Sequence, residues 1–151
     1  MQKLVSPRLG RRLTAGFTLI EIMVVVVIIG IIAALVAPSI ISRVGDAQVT
    51  AAKQDIRAYE TALNLYRLDN FRYPTSEQGL RALVQQPNDS TVRNWKPGGY
   101  IDSLRQDPWG NDYRYVYPGT HGKEYDLYTL GADNQEGGEG IDADIGNWIA
   151  Q

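Results

Sequence analysis

The chain has 151 residues, fifteen Lys and Arg against seventeen Asp and Glu, one His and no Cys. That length leaves room for one modest domain, and without Cys there is neither a disulfide nor a zinc site built from the usual nitrogen and sulfur ligands. The acidic balance gives no basic surface to neutralise a phosphate backbone, which excludes a nucleic-acid-binding domain.

Residues 1–16 form a short basic leader with Lys3, Arg8, Arg11 and Arg12 and no acid. Without it, eleven basic residues face seventeen acids. The next stretch, 17–37, is apolar except for Glu21, and at about 1.5 Å per residue it is long enough to cross a hydrocarbon core. It exceeds the apolar region of an ordinary secretory signal and lacks an Ala-x-Ala cleavage site, so it is expected to stay attached. The basic flank predicts a cytoplasmic leader and a body on the other side of the membrane. Glu21 needs an explanation, because a charge inside a span costs about 2.5–3.5 kcal/mol or more. Two readings stand: it pairs with the N-terminus of another copy, or it snorkels to the cytoplasmic interface.

Pro38 removes a backbone donor and Gly45 adds a second weak point. Beyond them Val49, Ala52, Ile56, Tyr59, Leu63 and Tyr66 recur at three- and four-residue spacing, one apolar stripe. One long helix is predicted over about 17–69, its first half in the membrane and its second half packed on a small head. Thr75 and Gln78 form a capping-box pattern that opens a short helix to about Val84, ended before Pro87. A polar loop leads to Gly98 and Gly99, and a turn is expected at 107–111. Strands are predicted at 113–117 and 125–130, joined as a hairpin by the turn at 118–122. The fold class is therefore α+β, with a short antiparallel sheet. Residues 131–146 show no apolar periodicity, only Gly and acids.

In that last stretch Asp133, Glu136, Glu139, Asp142 and Asp144 are either a solvated acidic loop or hard oxygen ligands suited to Ca²⁺. Asp133, Gly138 and Asp144 fall at positions 1, 6 and 12 of an EF-hand loop, but Gln135 and Gly137 stand where ligands belong and no second helix is evident. His121 reads as a surface turn residue. Trp95, Trp109, Trp148 and nine Tyr read as packing for a small head rather than a sugar-stacking face.

The junction Gly16-Phe17-Thr18-Leu19-Ile20-Glu21, after a basic leader and before an apolar span, resembles the type IV pilin and pseudopilin family. The resemblance implies cleavage by prepilin peptidase after Gly16, N-methylation of Phe17, and assembly roles for Glu21 and for Pro38, which matches the family's helix-loosening proline. The new ammonium at Phe17 would then lie in the membrane zone of Glu21, where pairing between subunits offsets the cost of either charge alone. The segments YRLDNFRYPTSEQGLRAL (66–83), DPWGNDY (107–113) and LGADNQEGGEGIDADIGNW (130–148) are similar to the major pseudopilins of type II secretion systems.

That resemblance implies a leader at 1–16, an assembly half of the helix at 17–44 and a periplasmic domain at 45–151. It implies a structural Ca²⁺ on the side chains of Asp133, Asp142 and Asp144, with backbone oxygens of Leu130 and Gln135. It also implies a subunit without enzymatic activity, anchored in the bacterial inner membrane, that polymerises into a periplasmic pseudopilus to help export folded proteins. The expected partners are other copies, minor pseudopilins, the prepilin peptidase, and an inner-membrane platform with its ATPase. A type IV pilus subunit is the nearest rival, and the absence of Cys speaks against it. A membrane-anchored hydrolase or binding module is another, but leaves the long helix and the 16–21 junction without a role.

Overall fold

The computed structural model describes residues 16–149; the leader expected at 1–16 lies outside them but for Gly16. The elements are α1 (Leu19–Asn70), a 3₁₀ turn at Leu80–Leu83, β1 (Arg114–Val116), β2 (Asp126–Thr129), a second 3₁₀ turn at Gly140–Asp142 and β3 (Ile145–Gly146). Contacts divide the chain into one unit up to Ile40 and another from Ile41.

The first unit is the apolar part of α1. Leu19–Ala37 is long and apolar enough to cross a membrane, and none of it is buried. The helix continues through Pro38 without a break.

In the second unit the expected stripe is the core. Ala52, Ile56, Tyr59, Leu63 and Tyr66 are buried together with Ala62, and Val49 packs against them. They meet Tyr73, Leu80, Leu83, Val92, Tyr113, Tyr125, Leu127 and Ile145. Fully burying a side chain such as Ile56 or Leu63 contributes about 1.5–3 kcal/mol. Gly45, expected to weaken the helix, is instead a close-approach site: a Cβ there would stand 2.6 Å from Ile141 Cγ2. It lets the loop after β2 lie against α1.

The head differs from expectation in detail. Its capping box forms, with Thr75 N–H donating to Gln78 Oε1 at 3.0 Å and Gln78 N–H to Thr75 Oγ1 at 3.2 Å. The box opens a turn and then the 3₁₀ segment rather than an α-helix, because Gly79 takes φ 56°, which a right-handed helix cannot absorb. The two predicted strands are shorter than expected and form the hairpin β1–β2 with Tyr115 opposite Leu127. A third strand emerges from the stretch that shows no periodicity: β3 pairs antiparallel with β2, Thr129 opposite Ile145. Two residues are too few for a period-two signal.

The aromatic residues pack, as expected. Tyr59 meets Tyr113 at 5.4 Å between ring centroids, Tyr73 meets Tyr125 at 4.7 Å and Tyr66 meets Tyr100 at 5.3 Å. Several hydroxyls reach partners, Tyr115 donating to Pro74 O and Tyr113 to Asp55. Burial pushes the Tyr113, Tyr115 and Tyr125 hydroxyls above their ordinary range, so they stay neutral.

Candidate functional site

Gly16 and Phe17 are exposed and precede α1, so the bond between them stands outside regular structure. Phe17 is 84% exposed. Thr18 and Glu21 make a second capping box at the start of the helix. Thr18 N–H and Oγ1 donate to Glu21 Oε2 at 2.7 and 2.8 Å, and Glu21 N–H approaches Thr18 Oγ1 at 3.3 Å. The Thr-x-x-Glu spelling at 18–21 is as plain as Thr-x-x-Gln at 75–78, and it is easily missed because the apolar span makes the charge look solitary. Both bonds to the carboxylate fall on one of its oxygens. Glu21 therefore closes the helix start locally, on a helix whose apolar side chains from Leu19 to Ala37 are all exposed.

The acidic loop is held at both ends by the pairing of β2 and β3. Ala132 N–H donates to Ile141 O at 2.9 Å across it. Asp144 turns inward: its Oδ2 accepts the Gly137 N–H at 3.0 Å, and its own N–H donates to Gly137 O at 3.2 Å. Asp144 Oδ1 is buried with no hydrogen-bond partner among the described residues. Asp133 is exposed, and its Oδ1 accepts the Gln135 N–H at 3.0 Å. Gly138 packs on the backbone of Asp142, where a Cβ would collide with the Asp142 carbonyl oxygen. No three acidic or His side chains of the described residues converge as a metal-holding group. Asp133, Asp142 and Asp144 thus share one loop without forming a three-carboxylate cluster.

Other polar groups that hold this end of the molecule gave no local signal. Asp107 is buried; its Oδ1 accepts the Trp109 and Asn111 N–H groups at 3.0 and 2.8 Å, and its Oδ2 takes the Thr129 hydroxyl. Asn147 is buried beside β2, its Oδ1 accepting Leu127 N–H at 3.1 Å and its Nδ2 donating to Tyr125 O at 3.1 Å. His121 does more than line a turn. Its Nδ1 lies 2.9 Å from Asp126 Oδ2, and its ring stacks on Trp148 at 3.9 Å. Burial works to raise the Asp126 carboxyl, but the Thr120 amide and hydroxyl and His121 outweigh it and hold the group below its usual range. Near the surface, the Thr91 hydroxyl and amide hold Asp89 down to about 2, with Arg72 adding to them.

Comparison with known proteins covers most of the chain. Residues 39–148 match the family described as type II secretion system protein G, and residues 11–37 match the prokaryotic N-terminal methylation motif. The type II secretion system core protein G of Pseudomonas aeruginosa is 58% identical over 139 residues, covering 91% of this chain and 97% of that protein. The protein of the same description from Vibrio cholerae is 54% identical, covering 93% and 95%. Among solved structures, the major pseudopilin from the type 2 secretion system of enterohaemorrhagic Escherichia coli aligns with a TM-score of 0.60 at 45% identity, over 68% of this chain and 88% of that one.

Proposed function

The chain belongs to the type II secretion system protein G family, and from that premise we propose that it is anchored in the bacterial inner membrane, carries its head in the periplasm, and polymerises into a pseudopilus that helps move folded proteins across the outer membrane. It is a structural pseudopilin subunit and not an enzyme. The observation that supports polymerisation best is the start of α1, where an apolar helix with no buried face carries one carboxylate. Prepilin peptidase would cut after Gly16 and methylate Phe17. The ammonium of an incoming subunit would then pair with Glu21 of its neighbour, setting register as well as offsetting two charges. Minor pseudopilins, an assembly platform and its ATPase are the remaining partners of this reading. Mass spectrometry of the membrane-extracted protein is expected to show loss of residues 1–16 and one methyl group on Phe17. A full-length chain in cells with active peptidase would overturn it.

The acidic loop is proposed as the seat of a structural Ca²⁺. Asp144 supports this, since a buried carboxylate oxygen without a protein partner is costly and suits a hard cation. Asp133, Asp142 and the backbone oxygens of Leu130 and Gln135 would supply further ligands. Ca²⁺ accepts six to eight oxygens, carbonyls and water included, so the lack of a three-carboxylate cluster does not disqualify the loop. The ion would crosslink the loop between β2 and β3 where no disulfide exists.

A further inference from the structure

Gly45 is the only buried residue among those described from Gly16 to Ala51, before the core stripe takes over at Ala52. Ile141 covers it: a Cβ on Gly45 would stand 2.6 Å from Ile141 Cγ2. Gly is, after Pro, the poorest helix former, so a helical turn centred on it and otherwise exposed leans on whatever packs there. Ile141 itself remains 43% exposed and meets a residue with no side chain. The contact therefore hides little apolar surface, and its use lies in position rather than in burial.

Ile141 belongs to the 3₁₀ turn Gly140–Asp142 inside the acidic loop, and that turn is wedged. Ile141 O accepts the Ala132 N–H at 2.9 Å. Gly131 and Gly138 approach the next residue, where a Cβ on either would collide with the Asp142 backbone. With Gly45, three glycines leave no room for a methyl group around one dipeptide, and groups packed this closely move together. Asp142 is one proposed Ca²⁺ ligand, and Asp144, two residues on, carries the buried oxygen without a protein partner. We propose that Ile141 couples the ion to the helix, so that Ca²⁺ held by Asp142 and Asp144 braces α1 over residues 43–48 and α1 in turn backs those ligands, an inference that rests on the calcium reading above. Ile141 is a positioning residue, with no donor atom in its side chain to offer the ion. Such coupling is reciprocal: whatever the ion adds to helix stability at Gly45, the helix adds to affinity for the ion.

Hydrogen exchange on the membrane-extracted full chain, in calcium and in EGTA, reads the helix side. Amides 43–48 should exchange more slowly with calcium, as should those of residues 131–146. Ile141→Ala keeps every proposed ligand. It should still bind calcium and protect 131–146 at saturation, but lose the calcium dependence at 43–48 and weaken calcium affinity by about fivefold or more, the lower end of ordinary coupling between sites. Ile141→Val retains the Cγ2 methyl that meets Gly45 and should behave as the unaltered chain on both counts. General stabilisation by a ligand would instead slow 43–48 together with the slowest amides of the core stripe, in Ile141→Ala as in the unaltered chain, and that result would overturn the proposal. So would calcium that protects 131–146 alone, or an Ile141→Ala affinity equal to that of the unaltered chain. An Ile141→Ala chain that melts far lower than the unaltered chain even in EGTA would make Ile141 a structural element and likewise sink the idea. Calcium without effect on exchange anywhere would fail the calcium reading and this inference with it.

Discussion

Two stretches of one helix make opposite use of apolar residues. Between Leu19 and Ala37 they surround the helix and none is buried; between Val49 and Tyr66 they form a stripe, and Ala52, Ile56, Leu63 and Tyr66 are closed off from solvent. A stripe needs one packed partner, which the head supplies. An all-round apolar surface needs lipid or other helices on every side. The contrast teaches that the stability of the head resides in the second stretch, while the first, with no face buried, is free for the assembly proposed for it, so each is expected to be perturbed without the other.

The largest effect is expected at Glu21. Glu21→Gln keeps an acceptor for the Thr18 capping bonds but removes the charge, and leaving a buried partner charge unpaired costs about 3–5 kcal/mol. Sheared filaments should fall below detection while the melting temperature of the membrane-extracted chain is unchanged. Equal filament yields would mean that Glu21 only caps its own helix.

Asp107→Ala tests the opposite half. It strips a buried acceptor from two backbone N–H groups and the Thr129 hydroxyl, with an expected loss of about 3 kcal/mol, since each unsatisfied buried group costs about 1–3 kcal/mol. Processing at Gly16 should continue normally. Thermal melts read the first effect and mass spectrometry the second.

Removing calcium should act on the head alone. A ligand bound only by the native state contributes about 2.7 kcal/mol at a hundredfold excess over Kd. Melting in EGTA should therefore come well below melting in calcium, and Asp144→Ala should abolish the difference. Magnesium should rescue poorly, because its smaller shell demands stricter octahedral geometry. Coincident curves would make the loop a solvated acidic segment.

Gly45→Ala sets two small terms against each other. Helix propensity favours Ala by about 1 kcal/mol, while the new methyl meets Ile141 Cγ2 at 2.6 Å, an overpacking that typically costs about 1–3 kcal/mol. The single variant should be neutral or slightly destabilised, and the same change made on an Ile141→Ala background should be stabilising. Additive effects in that double-mutant cycle would show that the two residues do not touch.

The smallest effect concerns acid. The folded Asp89 carboxyl titrates near 2 against an ordinary value of 3.8, so its contribution is present above about pH 4 and disappears as the pH falls towards 2. Asp89→Asn should flatten the acid limb of the stability curve in that window, lowering stability slightly at neutral pH and leaving it nearly unchanged near pH 2.

Much of the fold is legible along the chain. The apolar span, the stripe from Val49 to Tyr66, the capping box at Thr75 and the hairpin rest on spacings of a few residues, and helices and tight turns obey local rules. The α-helix expected after Thr75 does not form because a single left-handed Gly79 decides against it. The acidic loop is legible as a concentration of oxygen donors, but which carboxylate turns inward is not.

What the sequence determined by itself is the division of labour: an all-round apolar segment that no small head can bury, an amphipathic continuation that must be buried, and the junction at Gly16 and Phe17. What only the tertiary structure decided is how distant polar groups satisfy one another. Asn147 completes the hydrogen bonding of Leu127 and Tyr125, twenty and twenty-two residues away, and Gly45 makes room for Ile141. A period is written into neighbouring residues because the backbone repeats every few positions. A buried donor and its acceptor are matched only when the chain folds back, and nothing in the local spelling of either marks the other.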